Sequence, residues 1–243
     1  MSEPLRWKNC FADVLTSKYG PMTTSFLRHV IEPSLVVLNE QITAWKASDD
    51  PAAAFLVADT EDLLHATTMA FCLSIQALWE RQLRTYLAGC ARNLRSDETL
   101  AKKAMTAHWE ELDELFKGLR GISLSEFDQY PDLDYLQVIG NACRHGDGPS
   151  LRRLSKMHPE LWPRPEIVPS PFLPNEAPPA SMSPTIEQMA ISRDHLHQFV
   201  SAIVAFWDET EYIYCESIER KHPSLEARLV EMRRLRANRI KGS

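Results

Sequence analysis

The sequence contains little glycine and has no closely spaced cysteines. Only 8 of its 243 residues are glycine, which argues against a turn-rich β-sandwich and against the glycine-loop folds that bind nucleotides. The five cysteines stand alone, without the C-x-x-C or C-x-x-H spacing that is typical of zinc sites. We therefore expect neither a metal site nor a cofactor.

The sequence also has no long apolar run and no signal-peptide pattern. Its longest nearly apolar stretch, residues 66–79, has 14 residues, whereas crossing a bilayer takes about 20. The amino-terminal residues do not show the charged and then apolar pattern of a secreted protein. Because the number of cysteines is odd, reducing conditions are expected. The sequence predicts a cytoplasmic protein without membrane contact.

Helical periodicity is what the sequence does contain. Apolar residues recur every three or four positions in several segments between residues 23 and 220, and no segment alternates as a strand does. The first helix, 23–46, is expected to kink or split at Pro33, and another runs from Asp97 to about Gly121. The stretch 66–79 is apolar almost all round, which predicts a central helix buried on several faces.

These patterns predict an all-α fold, a bundle of four to five main helices. We assign residues 1–22 to an amino-terminal segment, 23–220 to a single domain and 221–243 to a carboxy-terminal tail. Within the domain, residues 159–184 hold nine prolines, so we predict an extended connection over the surface there.

The tail is basic although the chain is acidic. The whole chain has a net charge of −6, whereas six basic residues and two glutamates give residues 223–243 a charge of +4. We predict a basic helix or arm there that contacts nucleic acid, with a solvated basic helix as the alternative. The predicted nucleic-acid-binding residues are Arg233, Arg234, Arg236 and Arg239.

The strongest candidate site lies where a predicted helix ends, at Asn141, Arg144 and His145. Asn141 and His145 are four residues apart and share one helix face. A neutral histidine accepts a proton from an RNA 2′-hydroxyl, and an arginine stabilises the charge that develops on the phosphate. Helix-end rules alone also account for these residues, because Gly146 stops a helix and basic side chains are favoured in its last turn.

Two further sets of residues are weaker candidates. Arg153 and His158 are five residues apart and form a second arginine–histidine pair, close to Pro159. Glu80 follows the apolar stretch and is a candidate acid, with an ion pair to Arg81 or Arg84 as the alternative.

The order of helices and the segment Gly140-Asn-Ala-Cys-Arg-His-Gly146 resemble the HEPN superfamily of all-α proteins. In that family a helical segment with an acidic residue precedes a helix that ends in Arg-Asn-x-x-x-His. Here Phe71 to Leu87, with Glu80, matches the first element, and Asn141 and His145 match the second. The family's arginine is replaced by Gly140. Arg144 lies on the same face one turn later, and its guanidinium is expected to lean back towards that position.

The resemblance implies a homodimer in which two motif ends form a cleft that cuts RNA without a metal. Many relatives act in phage defence or as toxins with a neutralising antitoxin, and others bind RNA, a nucleotide or a protein partner without catalysis. We therefore carry two functions forward: a metal-independent endoribonuclease, and a non-catalytic binding module. A helical scaffold that docks through its basic tail is a third.

Overall fold

The computed structural model describes residues 5–163 and 184–242, with side chains as far as Asn238. These residues are all-α and contain no strand, which confirms the predicted fold class. Among their helices, none combines the length and the apolarity needed to cross a bilayer. The α-helices are α1 (Phe11–Val14), α2 (Tyr19–Phe26), α3 (Glu32–Lys46), α4 (Ala53–Cys90), α5 (Glu98–Thr106), α6 (Trp109–Arg120), α7 (Tyr130–His145), α8 (Pro149–Met157), α9 (Arg193–Ser217) and α10 (Pro223–Gly242).

Several helix ends follow from local chemistry. Asp97 precedes α5, and its Oδ1 accepts a hydrogen bond of 2.8 Å from the Leu100 amide, so it caps the helix. Gly121 ends α6 with a φ of 81° and Gly146 follows α7 with a φ of 64°. Both glycines adopt the left-handed conformation that stops a helix at little cost.

The predicted single helix from Asp97 to about Gly121 is wrong, because the chain forms α5 and α6 instead. Ala107 interrupts the helix with an extended ψ of 149°. The His108 amide then donates to Glu111 Oε2 at 2.9 Å and begins α6. A local capping interaction therefore ends a run whose apolar spacing alone looks continuous.

The helix is not split in two at Pro33, because helical residues run without a break from Tyr19 to Lys46. Residues Leu27–Ile31 form a π-helical segment between α2 and α3, and Pro33 lies in the first turn of α3. A proline inside a helix removes one backbone hydrogen bond, and the π-helical segment directly before Pro33 is the local irregularity that accompanies that loss.

The expectation of burial on several faces at 66–79 is met in part, because one side of the helix is exposed. Thr68, Cys72 and Trp79 are buried, but Ala66 and Ala70 are exposed on the same stretch of α4. The exposed positions carry small side chains. They make the sequence look apolar, but small apolar side chains can remain exposed to solvent.

The proline-rich segment lies mostly outside the described residues, which omit 164–183. On its amino-terminal side, α8 ends at Met157, and Pro159–Leu161 form one 3-10 turn. The Ala190 amide donates to the Leu161 carbonyl at 2.7 Å, so the described flanks of the segment are joined by a backbone hydrogen bond.

The chain forms two compact units, each made of several stretches. The first unit consists of Met1–Ile31, Ala77–Asp134 and His197–Ser243, and the second consists of Glu32–Gln76 and Tyr135–Leu196. The predicted division at residues 22 and 221 stays a prediction.

Aromatic side chains form the core of the first unit. The Trp79 ring lies 4.9 Å from Phe206 and 5.7 Å from Trp207, measured between ring centroids. Tyr86 lies 5.6 Å from Trp207. The indole N–H of Trp207 donates to Gln82 Oε1 at 2.7 Å, so this buried pair of polar groups is hydrogen-bonded.

The second unit has an aliphatic core. Its buried side chains come from α3, α4, α7 and α8 and from the residues that lead into α9. They place the carboxy-terminal end of α7, which carries the candidate site, against the carboxy-terminal part of Glu32–Gln76. Completely or almost completely buried members are Leu35, Cys72, Ile75, Leu136, Ile139, Ala142, Leu151, Leu154, Leu161, Met189 and Leu196.

Candidate functional site

The carboxy-terminal end of α7 presents two basic side chains to solvent. Arg144 and His145 are exposed in the last turn, and Asn141 is half-buried one turn earlier. The Gly146 amide donates to the Ala142 carbonyl at 2.9 Å. The end of the helix therefore determines where the predicted site residues lie. All three belong to the second unit.

Gly140 is needed because Gln76 occupies the space beside it. A Cβ atom at position 140 would lie 2.7 Å from Gln76 Cγ and 2.9 Å from Gln76 Cβ. Such contacts are closer than packed carbon atoms allow. A larger side chain at position 140 therefore requires Gln76 to shift.

A short chain of uncharged hydrogen bonds holds Arg144. Gln76 Nε2 donates to Gln137 Oε1 at 3.0 Å, and Arg144 Nη2 donates to Gln76 Oε1 at 2.9 Å. Gln137, Gly140 and Arg144 share one face of α7, since they are three and four residues apart. The expected backward lean of Arg144 is present, and it reaches the side chain that fills the space at Gly140.

Among the described residues, no carboxylate neutralises the charge of Arg144. Within the described part of the chain, no aspartate or glutamate oxygen lies within ion-pair distance of its guanidinium. The guanidinium is oriented by the hydrogen bond that it donates to the neutral amide oxygen of Gln76. Because guanidinium has five N–H donors, Arg144 keeps donors and a full positive charge for an external anion.

Asp147, the nearest acidic residue in sequence, does not pair with His145. Its Oδ1 accepts a hydrogen bond of 2.7 Å from the Ile186 amide, so the carboxylate is directed towards the residues that follow the proline-rich segment. His145 remains exposed. An imidazole in this setting can exchange protons with an incoming substrate.

The second arginine–histidine pair is placed differently. Arg153 is exposed on α8, and His158 caps the end of that helix. The His158 ring stacks on Tyr135 with centroids 3.8 Å apart, and its Nδ1 lies 2.9 Å from Glu160 Oε1. The imidazole is therefore held by a ring and a carboxylate, which suits packing better than proton transfer.

Glu80 has the ion pair predicted as the alternative to a catalytic role. It binds Arg84 one turn along α4, and Arg84 Nη1 also donates to the Ala104 carbonyl at 3.1 Å. Both side chains are less than a fifth exposed. Glu80 belongs to the first unit, where it helps to hold α5 against α4.

Arginines of α10 are bound to glutamates. Arg233 and Arg236 pair with Glu216 and Glu209 of α9, at 2.6 Å and 2.9 Å. Arg234 pairs with Glu231 in α10 itself. The side chain of Arg239 lies outside the described residues. The predicted role of these residues in nucleic-acid binding stays a prediction, and three of them have a structural partner.

Gln76 and Gln137 are the site residues that sequence reasoning missed. Gln76 is the most polar side chain inside the nearly apolar stretch 66–79, and it is fully buried. A buried amide must find hydrogen-bond partners, and that requirement is the signal that could have pointed to it. Among the described residues, no group of three or more histidine, cysteine or acidic side chains is placed to hold a metal ion.

Comparison with known proteins found no match to this chain among family models, curated proteins or solved structures.

Proposed function

We propose that the protein is a HEPN-like endoribonuclease that acts at the end of α7 without a metal. The observation that carries this proposal is the setting of Arg144. Its guanidinium is oriented by a neutral amide, has no carboxylate partner within the described residues, and stands next to the exposed His145. An arginine held in this way has its charge available for a phosphate.

The proposed reaction uses the 2′-hydroxyl of the RNA as the nucleophile. Neutral His145 accepts the 2′-hydroxyl proton, and the 2′-oxygen attacks the adjacent phosphorus. Arg144 stabilises the negative charge that builds on the phosphate oxygens, and Asn141 donates a hydrogen bond to one of them. The 5′-oxygen leaves with a proton from a protonated histidine or from water. The products are a 2′,3′-cyclic phosphate and a 5′-hydroxyl.

A dimer is part of this proposal. In the HEPN arrangement two copies bring their motif ends together, so that each cleft has two histidines and two arginines. One histidine is then available as the base and the other as the acid. We expect a homodimer in light scattering at micromolar concentration, and a monomer would contradict this arrangement.

A non-catalytic binding module is the second candidate, and the packing at Gly140 favours it. Gln76 fills the place of the family's arginine, so the catalytic cation has to come from a different position, one turn later. A site of this kind binds the phosphate backbone of RNA through Arg144 without holding the scissile phosphate in line for attack.

An RNase assay with the metal chelated separates the two candidates. Wild-type protein, His145→Ala and Arg144→Gln are incubated with single-stranded RNA in EDTA, with His29→Ala as an exposed-histidine control. Cleavage that His145→Ala reduces by about 10²-fold or more, while His29→Ala retains it, supports the endoribonuclease.

The other outcomes are equally informative. RNA binding that Arg144→Gln weakens, without cleavage by the wild type, supports the binding module. Neither cleavage nor binding by a correctly folded wild type rejects both candidates. His145→Ala protein that unfolds would reject a catalytic role for His145, because an exposed helix-end histidine contributes only about 0.3–1 kcal/mol to stability.

A further inference from the structure

Two cysteines and a buried arginine meet in the first unit, in residues that the proposed RNA site does not use. Cys10 Sγ lies 3.9 Å from Cys90 Sγ. Arg120 Nη2 lies 3.1 Å from Cys90 Sγ and 3.4 Å from Cys10 Sγ. All five cysteines of the chain are free thiols in this structure.

The packing around this cluster is close and specific. A Cβ atom on Gly89 would lie 2.8 Å from the Cβ of Ala12, so the glycine lets the amino-terminal segment approach α4. Cys10 and Cys90 are brought together by that approach. The Cys10 amide also donates to Asp13 Oδ2 at 2.7 Å, which fixes the backbone that carries the thiol.

The two thiols differ in acidity and in access. The hydrogen bond with Cys90 lowers the pKa of Cys10 to about 7 against the opposing effects of burial and of the Asp13 carboxylate, and the charge of Arg120 adds a smaller lowering. Burial raises the pKa of the Cys90 thiol. Cys10 is half-buried and Cys90 is fully buried. Cys10 is thus the thiolate that an external reagent reaches, and Cys90 is the protonated partner behind it.

We propose that Cys10 and Cys90 form a peroxide-reactive thiol pair that closes to a disulfide. The Cys10 thiolate attacks one oxygen of hydrogen peroxide, which forms an S–O bond, breaks the O–O bond and releases hydroxide. The Cys90 sulfur then attacks the Cys10 sulfenic acid. An S–S bond forms, the S–O bond breaks, and the Cys90 proton leaves with the hydroxyl group as water.

The two sulfur atoms need to move only a small distance to form the disulfide in the second step. A disulfide bond is about 2 Å long, so the sulfurs have to approach by roughly 2 Å from their separation of 3.9 Å. Arg120 Nη2 faces both sulfurs, and its positive charge favours the Cys10 thiolate, whereas its ion-pair partner Asp13 disfavours it. Over both steps, one molecule of hydrogen peroxide oxidises the two thiols to a disulfide. The peroxide is reduced to two molecules of water once the hydroxide released in the first step has been protonated.

The other cysteines provide internal controls. Cys72 and Cys143 also interact, but no arginine or lysine of the described residues is hydrogen-bonded to either sulfur, and the Cys72 thiol is fully buried. Cys215 is buried, and burial raises its pKa to about 11. Neither setting combines an accessible thiolate, a cation and a second thiol.

Peptide mapping after peroxide treatment tests the proposal. Reduced full-length protein is treated with hydrogen peroxide, the remaining thiols are alkylated, and linked peptides are identified by mass spectrometry. We expect a Cys10–Cys90 linkage in the wild type and in the control Cys215→Ser. Without peroxide, Cys10 should be alkylated about tenfold faster than Cys215 at pH 7, with the rate rising through a midpoint near pH 7.

Substitution of each thiol separates the two chemical steps. In Cys90→Ser the sulfenic acid on Cys10 should accumulate and be trapped by dimedone, and in Cys10→Ser no linkage to Cys90 should form. The proposal is overturned if Cys72 and Cys143 are the linked pair, if Cys10 reacts no faster than Cys215, or if wild-type Cys10 is oxidised to sulfinic acid without forming a linkage.

Discussion

Arg120 and Arg144 show two opposite ways in which this protein holds a guanidinium. In the first unit, the side chain of Arg120 is completely buried, pairs with an equally buried Asp13, and lies 4.8 Å from the Trp7 ring and 5.0 Å from the Tyr86 ring. In the second unit, Arg144 is exposed, and its guanidinium donates a hydrogen bond to the neutral amide of Gln76.

The difference indicates what each arginine is for. A buried guanidinium needs a carboxylate because an uncompensated charge in the interior is very costly. An exposed guanidinium remains hydrated and needs no such partner, so a neutral amide is sufficient to orient it. Arg120 therefore serves the stability of its unit, and Arg144 keeps a free charge at little cost to the fold.

The largest effect is expected when the buried ion pair is broken. Asp13→Asn leaves Arg120 charged in the interior without a counter-ion, and the free energy of unfolding should fall by about 3–5 kcal/mol. Urea denaturation measures this loss. Glu231→Gln, which breaks the exposed pair with Arg234, is the control and should change stability by less than about 1 kcal/mol. Equal losses in the two variants would contradict the assigned role of Arg120.

A smaller effect is expected at the glycine beside Arg144. Gly140→Ala places a methyl group against Gln76 Cβ and Cγ, and the overpacking should cost about 1–3 kcal/mol, more than the roughly 1 kcal/mol that alanine gains in a helix. Gly118→Ala is the matched control in α6, because nothing lies within 4 Å of its added Cβ. The two substitutions should move the urea midpoint in opposite directions, and a gain in stability at both sites would show that Gln76 yields easily.

The smallest effect on stability is expected at Arg144 itself. Arg144→Gln should change the free energy of unfolding by less than about 0.5 kcal/mol. If Arg144 contacts RNA, the variant should also reduce the slope of log affinity against log salt by about 0.7, the value for one phosphate contact on a single strand.

Arg236→Gln is the comparison for that experiment. Arg236 already pairs with Glu209, whose side chain is only 18% exposed, so its removal should affect RNA binding less than the removal of Arg144. A larger loss of RNA affinity in Arg236→Gln than in Arg144→Gln would move the nucleic-acid contact from the end of α7 to α10.

Features that depend on near neighbours in the chain were predictable. Gly146 indicated where α7 ends, Asp97 indicated where α5 begins, and the spacing of Asn141 and His145 gave their common face. These features arise within one or two helical turns, where backbone hydrogen bonds and caps dominate. The break at Ala107 shows that apolar spacing alone does not locate every helix end. A capping interaction begins a new helix there, although the apolar spacing of the sequence continues through it.

Contacts between distant parts of the chain were not predictable in the same way. Gln76 and Gly140 are far apart in sequence, and no periodic pattern in the sequence predicts that Gln76 packs against Gly140. The ion pairs of Arg233 and Arg236 with α9 span 17 and 27 positions. A count of charges reports the basic character of α10 but not the glutamates that neutralise it.

The packing of Gln76 against Gly140 also constrains the order in which this site can change. A side chain at position 140 meets both Cβ and Cγ of Gln76, so an arginine there requires residue 76 to change or its helix to shift. A smaller residue 76 would also remove the amide oxygen that orients Arg144. A sequence with that single change would keep Arg144 but would lack the group that holds its guanidinium in place. An arginine at position 140 and an Arg144 oriented by Gln76 are therefore alternative arrangements of one site, and a change from one to the other takes more than one substitution.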